Sequence, residues 1–192
     1  MANPTLHHVN LKTPRLDEMI DWYAEVVGTE TIHKYEGGAW LSNDGANHRI
    51  ALIATPTIVD DEARLTHAGM HHMAFEFDSV DDLLSHWVSI RDAHAADLHM
   101  ALDHGMTLSF YVLDPDGNGV ELQADWFGDW AQSKDFMLNS SEFEADPVGT
   151  FLDPDKVVAA REAGVDVSEL HRRAYAGEFP PAIEPDRRVA ST

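Results

Sequence analysis

The chain has 192 residues, enough for one well-buried core and too few for two ordinary domains with linkers. Its hydrophobic content of 44% is that of a globular protein, no apolar run nears the roughly 18 residues that cross a bilayer, and the absence of cysteine excludes disulfides, thiolate nucleophiles and thiolate metal sites. The 13 basic and 34 acidic side chains leave a net charge of −21, a surface that repels phosphate backbones and argues against nucleic-acid binding.

The opening, MANPTLHH, has neither the basic region nor the apolar stretch of a signal peptide, so a cytoplasmic location is the expectation. Residues 6–11 read as a strand. Thr13 is placed to cap a helix whose first residue is Pro14, a favoured position for proline. Asp17 and Glu18 fall in that helix's positive first turn, and Gly28 can close it in the left-handed conformation. Short strands fit 29–35, 37–42 and 48–54, and residues 55–69 form a polar linker. A strand at 70–77 follows. Ser79 and Asp82 resemble a capping box, opening a helix that runs to about His94. Further strands fit 97–102, 107–113 and 119–124. Beyond Trp126 the spacing allows a helix over 128–138, a second capped by Asp153 and starting at Pro154, and a third over 167–176. Residues 179–181 and the last dozen read as extended or disordered. Phe127, Trp130, Phe136 and Met137 are candidates for lining a substrate pocket, although an aromatic stripe more often belongs to a core.

Two stretches repeat. Residues 6–12 read LHHVNLK and residues 70–76 read MHHMAFE, which puts His8 and His72 64 positions apart. Asp17 and Asp81, Met19 and Leu83, and Tyr23 and Trp87 keep that spacing. Later the offset becomes 70, pairing Asp44 with Asp114, Ala51 with Glu121 and Leu52 with Leu122. The fold class expected is therefore α+β: two βαβββ repeats forming a half-open rolled sheet, with a mostly helical C-terminal extension. The domain expected spans 1–130, with repeats at about 5–55 and 70–126; the extension covers 131–192.

Strand alternation sorts the faces. Val9 and Leu11 share one face, His8 and Asn10 the other. Met73, Phe75 and Phe77 oppose His72 and Ala74. Val120, Leu122 and Ala124 oppose Glu121 and Gln123. The apolar faces can pack under helices, leaving two histidines and a carboxylate on faces that a rolled sheet would bring together. Two imidazoles and one carboxylate suit one side of an octahedral iron(II) with three positions open. Alternation sends His7 and His71 the other way, which makes them second choices. Asp114-Pro-Asp116-Gly-Asn118-Gly119 also matches the opening of a calcium loop, but position twelve is Asp125 rather than a glutamate and the flanks read as strands. A tight turn is the better reading.

The stretch His104-Gly-Met-Thr-Leu-Ser-Phe-Tyr111-Val-Leu-Asp114-Pro115-Asp-Gly117-Asn-Gly-Val-Glu121 resembles the signature of the type I extradiol dioxygenases, single-module members of the vicinal oxygen chelate superfamily. The signature needs a histidine, a hydrophobic residue with tyrosine, Asp-Pro, a glycine and a ligand glutamate. Leu102 departs from it, standing where the family has a small or β-branched residue. The resemblance covers residues 6–126 and reaches the tail at 146–154. It implies His8, His72 and Glu121 as metal ligands, and His48, in Asn-His-Arg-Ile-Ala-Leu, as the active-site acid–base. It also implies that His104 and Tyr111 hydrogen-bond substrate or oxygen. A regular strand would turn His48 away from the face of Ala51, so His48 is expected at the strand's irregular start. The resemblance further implies iron(II), with manganese(II) suited to the same donors, a catechol-type aromatic diol and O2 as substrates, and self-association as in many relatives. Two other readings share the fold: a glyoxalase- or epimerase-like metal-dependent lyase or isomerase, and a drug-binding protein of the bleomycin-resistance kind. Isomerases of this fold usually present a fourth ligand where this chain has Ala51.

Overall fold

The computed structural model describes residues 2–183. Residues 184–192, read above as part of an extended or disordered end, lie outside that range. The chain divides into two compact units. The first runs to Arg64 and includes Asp114–Asn118; the second takes 65–113 and the described residues from Gly119.

In the first unit, β1 (Val9–Thr13) is followed by α1 (Leu16–Val26), β2 (Glu30–Tyr35), β3 (Gly38–Ser42) and β4 (Ile50–Ala54). The sheet order is β1-β4-β3-β2. β1 lies parallel to β4, whereas β3 is antiparallel to both of its neighbours. The parallel pair needs a crossover, which α1 and the two intervening strands supply. α1 buries Met19, Ile20, Tyr23 and Val26, one stripe of a 3.6-residue period. Gly28 takes φ 74° just past the helix end, as expected of a residue closing it.

The second unit repeats the plan with β5 (His72–Phe77), α2 (Val80–Asp92), β6 (Leu98–Asp103), β7 (Thr107–Leu113) and β8 (Gly119–Asp125). Its order is β5-β8-β7-β6-β9, with β5 parallel to β8 and a two-residue β9 (Thr150–Phe151) added to β6. α2 buries Leu83, Leu84, Trp87 and Ile90, each 64 positions after its counterpart on α1. The register agrees: Asn10 pairs with Ala51 in the first sheet and Ala74 with Glu121 in the second, at the offsets of 64 and 70 read from the sequence. Ser79 caps α2 by accepting from the Asp82 N–H at 3.1 Å and donating to the Asp82 carboxylate at 2.6 Å.

The extension is helical: α3 (Trp130–Asn139), α4 (Ser141–Ala145), α5 (Pro154–Glu162) and α6 (Val167–Tyr175). Asp129, Asp153 and Asp166 cap three of them through side-chain oxygens. α5 buries Val157 and Val158; α6 buries Leu170 and Ala174.

Several boundaries differ from the sequence reading by one to three residues, β4 among them, which starts at Ile50 rather than residue 48. β1 starts at Val9 rather than residue 6 and runs on to Thr13, which pairs with Ala54. Thr13 therefore cannot cap the helix; its hydroxyl accepts from the Arg15 N–H at 2.9 Å, and α1 opens two residues later without a side-chain cap. β5 likewise starts at His72 rather than residue 70. The Asp-Pro-Asp-Gly stretch forms a turn. Asp114 accepts from the Asp116 and Asn118 N–H groups and from Tyr23 Oη, and the Asp116 carboxylate meets Arg15.

Phe110 has no exposed surface and meets Trp87 edge-on at 5.7 Å. Phe110→Ala is expected to cost about 3–5 kcal/mol. A lower urea midpoint at an unchanged slope checks it.

Candidate metal and catalytic site

Glu121 sits mid-strand in β8, opposite Tyr111 of β7 and Ala74 of β5. It is buried, at 6% exposure, and an ionised carboxylate there needs partners. It has two. Tyr111 Oη donates to Oε1 at 2.7 Å, and His72 Nε2 lies 3.0 Å from Oε2. Burial pushes Glu121 up, but hydrogen bonding, led by His72, holds it below the usual glutamate range and so ionised.

His72 reaches this position because β5 and β8 approach closely at their start. His72 pairs with Gly119, where an added Cβ would stand 2.5 Å from the His71 carbonyl oxygen. Only glycine permits that approach. The ring of Tyr111 meets the His72 ring edge-on at 5.3 Å. His104, in the turn between β6 and β7, places Nε2 3.0 Å from Tyr111 Oη and Nδ1 2.6 Å from the Val148 carbonyl oxygen. Burial drives the His104 imidazole towards its neutral form and raises the Tyr111 phenol far above its ordinary range. A continuous polar line thus runs Val148–His104–Tyr111–Glu121–His72.

In the first unit His7 and His8 precede β1, and His48 lies in the loop before β4, as its expected irregular placement requires. The backbone pins them: the Val9 N–H donates to the Arg49 carbonyl at 3.0 Å, and Arg49 Nη1 donates to the His7 carbonyl at 3.0 Å. The His8 and His48 rings lie 4.4 Å apart, and one ring nitrogen from each of His7, His8 and His48 falls within 4.8 Å of the others. Desolvation, then the His8 and His7 rings, lowers the His48 pKa.

His7 and His71 do not follow the expected alternation, because neither belongs to a strand. His7 Nδ1 lies 3.1 Å from His8 Nδ1, and His71 Nδ1 lies 2.7 Å from His72 Nδ1. The doubled histidine at both strand starts was visible in the sequence; only the late start of the strands was not. Of the four pocket candidates, Phe127 and Phe136 line an open pocket of about 580 Å³ against α3. Trp130 and Met137 are exposed and do not line it.

Residues 5–122 match the model of the Glyoxalase/Bleomycin resistance protein/Dioxygenase superfamily. The chain is 35% identical to "Biphenyl-2,3-diol 1,2-dioxygenase 2" of Rhodococcus globerulus over 191 residues, covering 100% of this chain and 98% of the relative. The chain belongs to that superfamily, among its extradiol ring-cleaving dioxygenases. A second relative from the same organism, "Biphenyl-2,3-diol 1,2-dioxygenase 3", is 35% identical over 175 residues, 91% of each chain. Among solved structures, a glyoxalase I from Leishmania major aligns with a TM-score of 0.54 at 16% identity, over 72% of this chain and 99% of that one. That likeness is one of fold alone, and the extradiol branch is set apart by full-length sequence identity. No helix among the described residues is long and apolar enough to cross a membrane.

The sequence reading passed over one buried group of this extradiol dioxygenase. Asp103, at the end of β6, is fully buried; Oδ1 accepts from the Gly105 N–H at 2.7 Å. His171 of α6 brings Nε2 to 3.8 Å from Oδ1. Burial pushes the Asp103 pKa up to about 7. The folded state therefore holds a proton that an unfolded carboxyl releases near pH 4, and stability falls as pH rises across that window. Asp103→Asn removes the titration. It is expected to raise the melting temperature at pH 8, by an amount equivalent to as much as about 4 kcal/mol, with the gain shrinking to nothing by about pH 4. Paired thermal melts across pH check this.

Proposed function

We propose that this enzyme uses O2 to open the ring of a catechol-type diol beside its hydroxyls, at a mononuclear iron(II) site held by His8, His72 and Glu121. One observation carries the reading: a buried, ionised carboxylate on β8 faces an imidazole from the first residue of β5, a nitrogen and oxygen donor pair suited to a divalent d-block ion. His8 occupies in the first repeat the place His72 holds in the second, 64 positions earlier. Manganese(II) suits the same donors.

Iron(II) would supply binding positions for the diol and O2 and would make the bound diol more acidic. The remaining work falls to the chain's own groups. His48, kept neutral by desolvation and its imidazole neighbours, takes a proton from a substrate hydroxyl at a ring nitrogen. Tyr111 Oη, held between Glu121 and His104, orients the substrate oxygen. His104, or His48 once protonated, returns a proton as the ring opens. The two Rhodococcus relatives are named for biphenyl-2,3-diol. An aryl-substituted catechol is accordingly the first substrate to try.

The test is an aerobic assay of the iron(II)-loaded protein with a panel of catechols, following oxygen uptake and a yellow ring-opened product together. One O2 consumed per diol supports the reading. Isomerisation without oxygen uptake would place the chain with the glyoxalase-like enzymes. Saturable binding without turnover would place it with the binding proteins.

A further inference from the structure

Residues 146–151 close the polar line at His104, and they belong to the helical extension rather than to either repeat. β9 pairs Thr150 with Asp103 and Phe151 with Leu102, which carries the preceding turn across the end of β6. Val148 and Phe151 pack on the buried cluster of Met100, Leu102 and Tyr111. The turn is held internally: Asp146 Oδ1 accepts from the Val148 and Gly149 N–H groups at 3.2 Å each. Gly149 has φ 85°, a left-handed conformation, and a Cβ there would collide with the Asp103 carbonyl oxygen. These constraints aim the Val148 carbonyl at His104 Nδ1, 2.6 Å away.

A carbonyl oxygen can only accept, so Nδ1 must carry the hydrogen of this bond. In a neutral imidazole the lone pair is then on Nε2, the nitrogen 3.0 Å from Tyr111 Oη. We propose that the Val148 main-chain carbonyl is a positioning group for the reaction: it locks His104 as the Nδ1–H tautomer, so that every proton His104 gains or gives passes through Nε2 on the Tyr111 side. The extension is then part of the catalytic apparatus and not only a cover. The proposal rests on His104 serving ring cleavage as described above. The opposite tautomer would leave two acceptors, Nδ1 and the Val148 carbonyl, facing each other at 2.6 Å; with Nδ1–H in place, the single Tyr111 O–H is shared between Nε2 and Glu121 Oε1.

The tautomer is read directly from long-range 1H–15N correlation of the metal-free full-length protein, with the His104 signal assigned by its loss in His104→Gln. A protonated Nδ1 and an unprotonated Nε2 are expected. In Asp146→Ala, an exposed substitution that loosens the turn, a mixture of tautomers is expected. Iron-loaded Asp146→Ala should also show kcat about tenfold lower at unchanged KM. Asp146→Asn, whose amide oxygen can accept the same two N–H groups, should restore both readouts. Gly149→Ala should repeat the Asp146→Ala effect more severely. The proposal is overturned if wild-type His104 carries its proton on Nε2. It is also overturned if Asp146→Ala and Gly149→Ala keep the wild-type tautomer, or if they change KM alone. If the wild-type protein consumed no O2 with any catechol, the ring-cleavage reading would fail, while the tautomer measurement would still decide the role of Val148.

Discussion

Glu121→Gln is expected to abolish iron binding and ring cleavage together while leaving the fold intact. Glutamine keeps the shape of the side chain and an oxygen for Tyr111, so the packing around β8 is preserved. It loses the charge that a divalent ion needs and that the surrounding hydrogen bonds hold in place. Iron content after gel filtration should fall from about one per chain to background, with oxygen uptake falling in step and the melting temperature of the metal-free protein little changed. His72→Ala and His8→Ala should behave alike, since each removes one of the three proposed donors. A His72→Ala variant with full iron content and full turnover would show that the ligands lie elsewhere.

The second large effect is expected at His48. His48→Ala should retain iron and slow turnover by about 10²–10⁴-fold, the range a single positioned acid–base group supplies. Its place beside His8 and His7, within imidazole contact of a proposed ligand, is what separates it from a surface histidine. A surface role would leave kcat untouched, and a ligand role would take the iron with it. Measuring metal content and kcat on the same preparation separates the three outcomes.

Most of the frame could be read from the sequence because it is written twice. One copy of LHHVNLK would have been an ambiguous apolar stretch. Two copies at a fixed offset fixed the strand–helix register, and the four buried residues of α1 each have a buried counterpart on α2. Glu121 was legible for a similar reason: period-two alternation leaves it as the charged residue on a face of β8 opposite Val120 and Leu122. What escaped was local or carried by the backbone. His7 and His71 were misplaced because parallel pairing begins only at Val9 and His72, so alternation governs neither His7 and His8 before the first strand nor His71 before the second. α4 and β9 are five and two residues long, too short for periodicity to register. The contact from Val148 to His104 is made by a carbonyl, which every residue possesses and no side chain advertises. Asp103 was passed over because its single useful clue, complete burial at a strand end beside His171, exists only in three dimensions.

The two sheets share a register but solve opposite solvation problems. Where β8 encloses the carboxylate of Glu121, β4 has the methyl group of Ala51; where β7 offers the phenol of Tyr111, β3 has Trp40, stacked on Tyr35 at 5.5 Å. At these matched positions the first sheet carries no charge. The second encloses a negative charge that a cation relieves, so occupancy is thermodynamically linked to folding: an ion that binds only the native chain adds stability that grows with the logarithm of its free concentration. With the proposed ligands, loss of the metal would therefore withdraw stability first from the sheet that holds Glu121 and His72.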